Sequence, residues 1–232
     1  MTVNDAAQGY YTALQQDYDV KIRQLVPRYD EMVECAVGLV VHDTPLSVLD
    51  IGAGSGAVTK LIASRVPEAH ITALDASPAM VQDATDRLAD FAERVTVVQR
   101  AIQEFEPPGA FDAAFSNLVL HNVPAATKPQ VLRKLSSWLR PSGVFVWGDL
   151  IRFDAPELQQ SAVSARCAFA LASGCDPALV EENFRKESVD DHPLSVDVMR
   201  AMALAAGFAS ADVVWARDAF VVLYLKNGAQ AP

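Results

Sequence analysis

A short apolar run, Leu46-Ser-Val-Leu-Asp-Ile51, leads into three glycines at alternate positions, Gly52, Gly54 and Gly56, and then into a helical pattern through Val58, Leu61, Ile62 and Val66 that stops at Pro67. Strand, tight loop and helix in that order form the opening unit of an open α/β sheet. The chain goes on repeating the unit. Residues 70–75 read as a second strand, with Ser77 and Pro78 as the cap and first position of a helix whose Met80, Val81, Ala84 and Leu88 recur at helical period. Residues 95–99, 111–116 and 143–148 read as further strands, the last after a turn at Arg140-Pro-Ser-Gly143, and residues 128–139 as a helix. Strands alternating with helices call for a parallel sheet covered on both faces.

The two ends depart from this alternation. Residues 4–41 carry Leu14, Tyr18, Ile22 and Leu25, then Met32, Val33, Ala36, Val37 and Val40, at helical spacing on either side of Pro27, so two helices meet there. Helix-like segments over 156–173 and 177–186 precede a helix over 195–206 that ends at Gly207. The last two strands, 211–215 and 219–225, are joined by so short a link that they pair antiparallel. The expected fold is α/β: a seven-stranded, mostly parallel sheet with a terminal antiparallel hairpin, helices on both faces and an N-terminal helical lid. Residues 227–232 read as a frayed tail.

Charge narrows the partners. With 29 acidic against 19 basic residues the net charge is −10, which repels a phosphate backbone, so nucleic acid is not an expected partner. No stretch approaches 18 consecutive apolar residues and the first residues lack the layout of an export signal, so a cytoplasmic protein without membrane contact is expected. Cys35, Cys167 and Cys175 form no Cys-x-x-Cys pair and read as buried free thiols. No two of His42, His70, His121 and His192 have metal-ligand spacing, so no metal is expected.

The glycine loop lies where open α/β sheets form their ligand crevice. A dinucleotide site would use Gly-x-Gly-x-x-Gly to bring N–H groups to a pyrophosphate, whereas this loop is Gly-x-Gly-x-Gly with Asp50 just before it. A carboxylate there repels phosphate and suits a cationic amino group. Asp75, 19 residues after Gly56, closes the neighbouring strand at the same edge and can accept both hydroxyls of a ribose. A cationic amino-acid end joined to a ribose describes S-adenosylmethionine.

At these residues the chain resembles the class I S-adenosylmethionine-dependent methyltransferases. Val48 to Gly56 is similar to the family's first motif, Leu74-Asp75-Ala-Ser-Pro-Ala-Met80 to its second, Asn117-Leu-Val-Leu-His121 to the segment after strand four, and Leu139-Arg-Pro-Ser-Gly143 to the turn before strand five. The resemblance implies a Rossmann-like domain over 1–232, divided into a helical lid (1–45), a cofactor-binding core (46–150), inserted helices of the substrate lid (151–193) and a closing helix and hairpin (194–226). By the same resemblance Gly52, Ala53, Gly54 and Gly56 line the methionine part of the cofactor, Asp75 holds the ribose, Ala76 and Met80 flank the adenine, and Asn117 meets the amino group. A narrower resemblance, carried by Val26-Pro27-Arg28-Tyr29, Asn117-Leu-Val-Leu and Ala206-Gly207-Phe208 followed by Trp215, is to the branch of the carboxy-S-adenosylmethionine synthase of tRNA wobble-uridine modification and its small methyltransferase relatives. It adds Tyr29 as a cofactor contact. Two positions depart from that branch: the adenine segment is Ala101-Ile102 in place of Asp-hydrophobic, with Gln103 as the candidate replacement, and Met202 stands where an arginine for the modified cofactor is expected. Ordinary S-adenosylmethionine is therefore the expected cofactor.

Methyl transfer from a sulfonium is an in-line displacement that positioning and desolvation can drive. For an oxygen nucleophile a general base helps, and His121, after strand four and with a reference pKa near ~6.5, is the candidate. The acceptor is expected to be a small molecule methylated at O, N or C under a lid of the N-terminal and inserted helices, with Tyr10, Tyr11, Tyr18, Phe153, Phe169 and Phe184 as candidate lining. A homodimer is the one protein assembly left open. Two other readings stand beside a methyltransferase: a carboxy-S-adenosylmethionine synthase-like enzyme, and a non-catalytic S-adenosylmethionine-binding or interaction protein.

Overall fold

The computed structural model describes residues 17–228. It has seven strands in the order β3-β2-β1-β4-β5-β7-β6: β1 (Ser47–Ile51), β2 (His70–Asp75), β3 (Val95–Gln99), β4 (Phe111–Asn117), β5 (Leu139–Leu150), β6 (Phe208–Arg217) and β7 (Phe220–Asn227). Strands β1 to β5 pair in parallel, and β7 runs antiparallel to both β5 and β6. The mostly parallel sheet with a closing hairpin is thus as the alternation of the sequence requires. Residues 140–143, read as a turn, lie within the single span of β5. There the partner of Phe111 is Leu139 and the partner of Ala113 is Val144, so the segment bulges out of the ladder with Ser142 at φ 68.

The helices α1 (Tyr18–Leu25), α2 (Tyr29–Val41), α3 (Ala57–Arg65), α4 (Pro78–Arg87), α5 (Lys128–Trp138), α6 (Pro156–Ala172), α7 (Pro177–Val189) and α8 (Val196–Ala205) fall close to their predicted places. Alternation along the strands feeds two cores, one on each face. Val48, Val146 and Leu150 join α2 and α3 in one, while Leu49, Ile51, Phe145 and Trp147 join α5 and α8 in the other. One reading is corrected: Asn227 is not the start of a tail. It is the buried end of β7, its amide donating to the carbonyls of Ser136, Leu139 and Arg140 while its own oxygen accepts from Ser136 Oγ. A short polar side chain looked like loop composition, but here it satisfies the C-terminal carbonyls of α5. Tyr10 and Tyr11 lie outside the described residues. Among those described, no helix is long and apolar enough to cross a membrane, and no group of three metal-ligating side chains occurs.

Candidate active site

At the C-terminal ends of β1, β2 and β4 lies a cavity of about 470 Å³, a size typical of small-molecule sites. Its floor is the glycine loop, where Gly52, Gly54 and Gly56 all take left-handed backbone angles, φ 69, 56 and 77. At Gly52 a Cβ would lie 2.3 Å from Val119 Cγ2, so the bare backbone is required twice over, by conformation and by space. The loop is tied to β2 by Gly52 and Ala53 N–H groups donating to Leu74 O. Helix α1 covers it: Asp19 accepts from Ser55 Oγ (2.7 Å) and pairs with Arg87 (2.6 Å), and Tyr18 lies on the cavity wall.

Asp75, half-buried at the end of β2, accepts from Gly54 N (2.9 Å) through one oxygen and from Ser77 N (2.8 Å) through the other. Burial raises its pKa, and those N–H groups pull it back. Across the cavity Asn117 Oδ1 is buried with no donor among the described residues. Gly148, facing it on β5, makes room, since a Cβ there would come within 2.3 Å of that oxygen. A buried acceptor without a donor calls for one from a ligand.

Asp50 stands elsewhere. It is 2% exposed and accepts from Thr59 Oγ1 of α3 at 2.6 Å, and burial pushes its pKa up to about 7 against the pull of that hydroxyl. Parity explains the placement: Asp50 follows the Val48 side of β1, toward α3, not the side of Ile51, which lines the cavity.

His121 sits on a one-turn 3₁₀ segment, Leu120–Asn122, and is 8% exposed. Its Nδ1 lies 2.5 Å from Asp149 Oδ1. That carboxylate is fixed by Trp147 Nε1 (2.8 Å) and the Leu150 N–H (2.9 Å). The other ring nitrogen, Nε2, is 3.2 Å from Asn122 Nδ2 and 4.0 Å from Asp191 Oδ2. Asn122 is oriented by Lys186 of α7, which donates to its Oδ1, while its Nδ2 donates to Val119 O. Lys186 also pairs with Asp191. The network therefore assigns the tautomer: Nδ1 carries the proton, donated to Asp149, and the lone pair of Nε2 accepts from Asn122 Nδ2. Below it, buried Lys128 donates to His192 O, and burial lowers its pKa to about 8 although Asp149 and Asp191 oppose the shift.

Of the residues singled out from the sequence, Gly52, Gly54, Asp75, Ala76, Met80, Ala101, Ile102 and Asn117 line the cavity, with Gln103 and Glu104 beside them. Ala53 and Gly56 belong to the loop but not to its wall, and Asp50 faces Thr59. Tyr29, at the start of α2, has Arg23 over its ring at 5.4 Å and a pKa raised to about 12 by burial. It too is off the wall. His121 lines a second, smaller cavity of about 60 Å³ that shares Tyr18 and Leu118 with the first. Leu118, between the two, is held at φ 59, a left-handed angle uncommon for such a side chain. Sequence reading missed Asp149, Asn122, Lys186 and Asp191 as neighbours of His121. One signal was available for Asp149, an acidic residue inside the apolar run of β5.

Residues 48–143 match the family described as a methyltransferase domain. The chain is 34% identical over 102 residues to a trans-aconitate 2-methyltransferase of Rhodopseudomonas palustris, covering 44% of this chain and 38% of that protein. It is 27% identical over 201 residues to a carboxy-S-adenosyl-L-methionine synthase of Trichlorobacter lovleyi, covering 83% and 81%. The fold is similar to that of the structure described as a DhpI–SAH complex, with TM-score 0.67, 18% identity and 97% of each chain covered. The domain match, the relatives and the shared fold together support a class I S-adenosylmethionine-dependent methyltransferase. Its match to the trans-aconitate enzyme spans little more than a third of that enzyme's length. S-adenosylmethionine is the cofactor of the class, and the cavity fits it: the unpartnered Asn117 oxygen suits its ammonium group, the Asp75 carboxylate its ribose, and the bare backbone at Gly52 a close approach.

Proposed function

We propose that the protein methylates a hydroxyl oxygen of a small molecule held between the cofactor cavity and His121. The observation that carries this reading is the His121–Asp149 pair beside that cavity, with Nδ1 anchored and Nε2 bearing the lone pair. In this reading Gly52, Gly54, Asp75, Ala76, Met80, Ala101, Ile102 and Asn117 hold the cofactor. When bound, S-adenosylmethionine supplies an electrophilic methyl group on a sulfonium. His121 Nε2 would take the proton of the acceptor hydroxyl, whose oxygen would receive the methyl as the sulfonium leaves as the neutral thioether, and Asp149 would stabilise the resulting imidazolium. Tyr18 and Leu118, shared by both cavities, keep water from the line of transfer.

The carboxy-transfer alternative has less support. Met202, at the position where the resemblance calls for an arginine, packs against the core around α5 and α8 and is not on the cavity wall. Mass spectrometry of ligand carried through purification separates the two readings: S-adenosylmethionine or its homocysteine product supports methylation, and a carboxylated cofactor supports the synthase. The base role is tested with His121→Ala, which should lower turnover by roughly 10²–10⁴ and abolish the limb of the pH profile that proton removal from the acceptor produces. Full activity with an unchanged profile would reduce His121 to a packing residue.

A further inference from the structure

Among the described residues lining the second cavity, Arg166 has a hydrogen-bond donor left over. Arg166 of α6 is 3% exposed and lines the cavity. Its terminal nitrogens form a bidentate pair with Glu187 of α7, at 2.8 and 2.6 Å, and its guanidinium lies over the rings of Phe184 and Phe220 at 5.1 and 5.7 Å. Nε is buried with no acceptor among the described residues. An N–H donor left without a partner in an apolar setting carries a desolvation cost that a ligand oxygen would remove.

The charges around it say which oxygen. Three carboxylates, Asp149, Glu187 and Asp191, stand with three cations, Lys128, Arg166 and Lys186. The buried set is neutral as it stands, so a ligand carboxylate would add an uncompensated charge, whereas a carbonyl oxygen would accept from Nε without one. Leu25, Val26, Leu150 and Phe220 give the cavity an apolar share of its lining, and about 60 Å³ encloses only a few heavy atoms.

Resting on the methyl-transfer reading above, we propose that the second cavity selects an uncharged acceptor by a carbonyl oxygen bound to Arg166 Nε–H, beside the hydroxyl that His121 deprotonates. The ligand class is a small neutral hydroxy-carbonyl compound, or a larger molecule presenting that group at its reacting end. Arg166 thus acts as a specificity residue while Glu187 holds it in place.

Three fragments of similar size separate the alternatives: hydroxyacetone, 2-methylprop-2-en-1-ol, which replaces the carbonyl oxygen by a methylene, and glycolate, which replaces the methyl by a charged oxygen. Each is titrated into the full chain saturated with S-adenosylhomocysteine, and the NMR signal of the Arg166 Nε–H group is followed. Hydroxyacetone should move that signal and bind about tenfold or more tightly than the alkenol, and also more tightly than glycolate. Arg166→Lys, which keeps the charge facing Glu187, should remove the preference over the alkenol, and the wild-type comparison stands by itself if that variant does not fold. Equal binding of the three, tightest binding by glycolate, or an unmoved signal overturns the proposal. If S-adenosylhomocysteine binds and the signal does not move, only this inference falls. If S-adenosylhomocysteine itself does not bind, the methyl-transfer reading falls and this inference with it.

Discussion

The two adjoining cavities are built in different ways. The larger one is built around strand ends, a glycine loop in left-handed conformation, and one carboxylate fixed by two N–H groups. The smaller one is made by side chains from α1, β5, α6, α7 and the loop after α7, joined through ion pairs and amide bonds around His121. Backbone at strand ends offers a fixed cradle to any ligand of one shape, whereas side chains on added helices can be exchanged without disturbing the sheet. Cofactor affinity should therefore reside in the first cavity, and the choice of acceptor and the proton transfer in the second.

The comparison is sharpened most by Asp149→Asn. An amide beside Nδ1 can donate to it and favour the tautomer with the proton on Nε2, so turnover should fall by about 10² or more with cofactor affinity unchanged. Steady-state kinetics beside calorimetry on the variant check this, and an unaltered rate would remove Asp149 from the proton path. Gly52→Ala acts on the other side. Its Cβ meets Val119 and its φ is unfavourable for alanine, so stability should drop by ~1–3 kcal/mol and cofactor affinity with it. Denaturant unfolding and titration measure both, and a wild-type midpoint would show that the loop yields more easily than its geometry suggests.

A smaller effect concerns Asp50. Its folded pKa, about 7, lies above the ordinary aspartate value of about 3.9, so the folded state holds more protons than the unfolded state between those two values. The sign follows: the contribution to stability is full below about pH 4 and is lost as the pH rises toward 7. Unfolding midpoints taken across that window should decline less steeply in Asp50→Asn than in wild type. Parallel curves would mean that the carboxyl titrates normally.

How far the sequence foretold these regions follows from the same division. The glycine loop, Asp75 and the positions of the strands along the chain are local or periodic features, written in neighbouring residues. Even so, the side of β1 to which Asp50 points depends on where the strand meets the loop, and that one-residue parity was not legible. Around His121 the partners lie far apart in sequence. Asp149 arrives because Asn117 of β4 pairs with Gly148 of β5, which brings the residues just beyond each strand together. Lys186 and Asp191 arrive only when α7 docks, and nothing in their own spacing marks them. Asn227 was misread for a related reason, since its amide has meaning only beside the end of α5.

The division of labour is tested most directly by calorimetric titration of S-adenosylhomocysteine into wild type, Asp75→Ala and His121→Ala, with NAD as a control ligand. The product should bind wild type and His121→Ala alike and Asp75→Ala about tenfold or more weakly, since two charge-assisted hydrogen bonds to the ribose are lost, and NAD should not bind. Unchanged affinity in Asp75→Ala, a loss of comparable size in His121→Ala, or binding of NAD in place of the product would contradict the account.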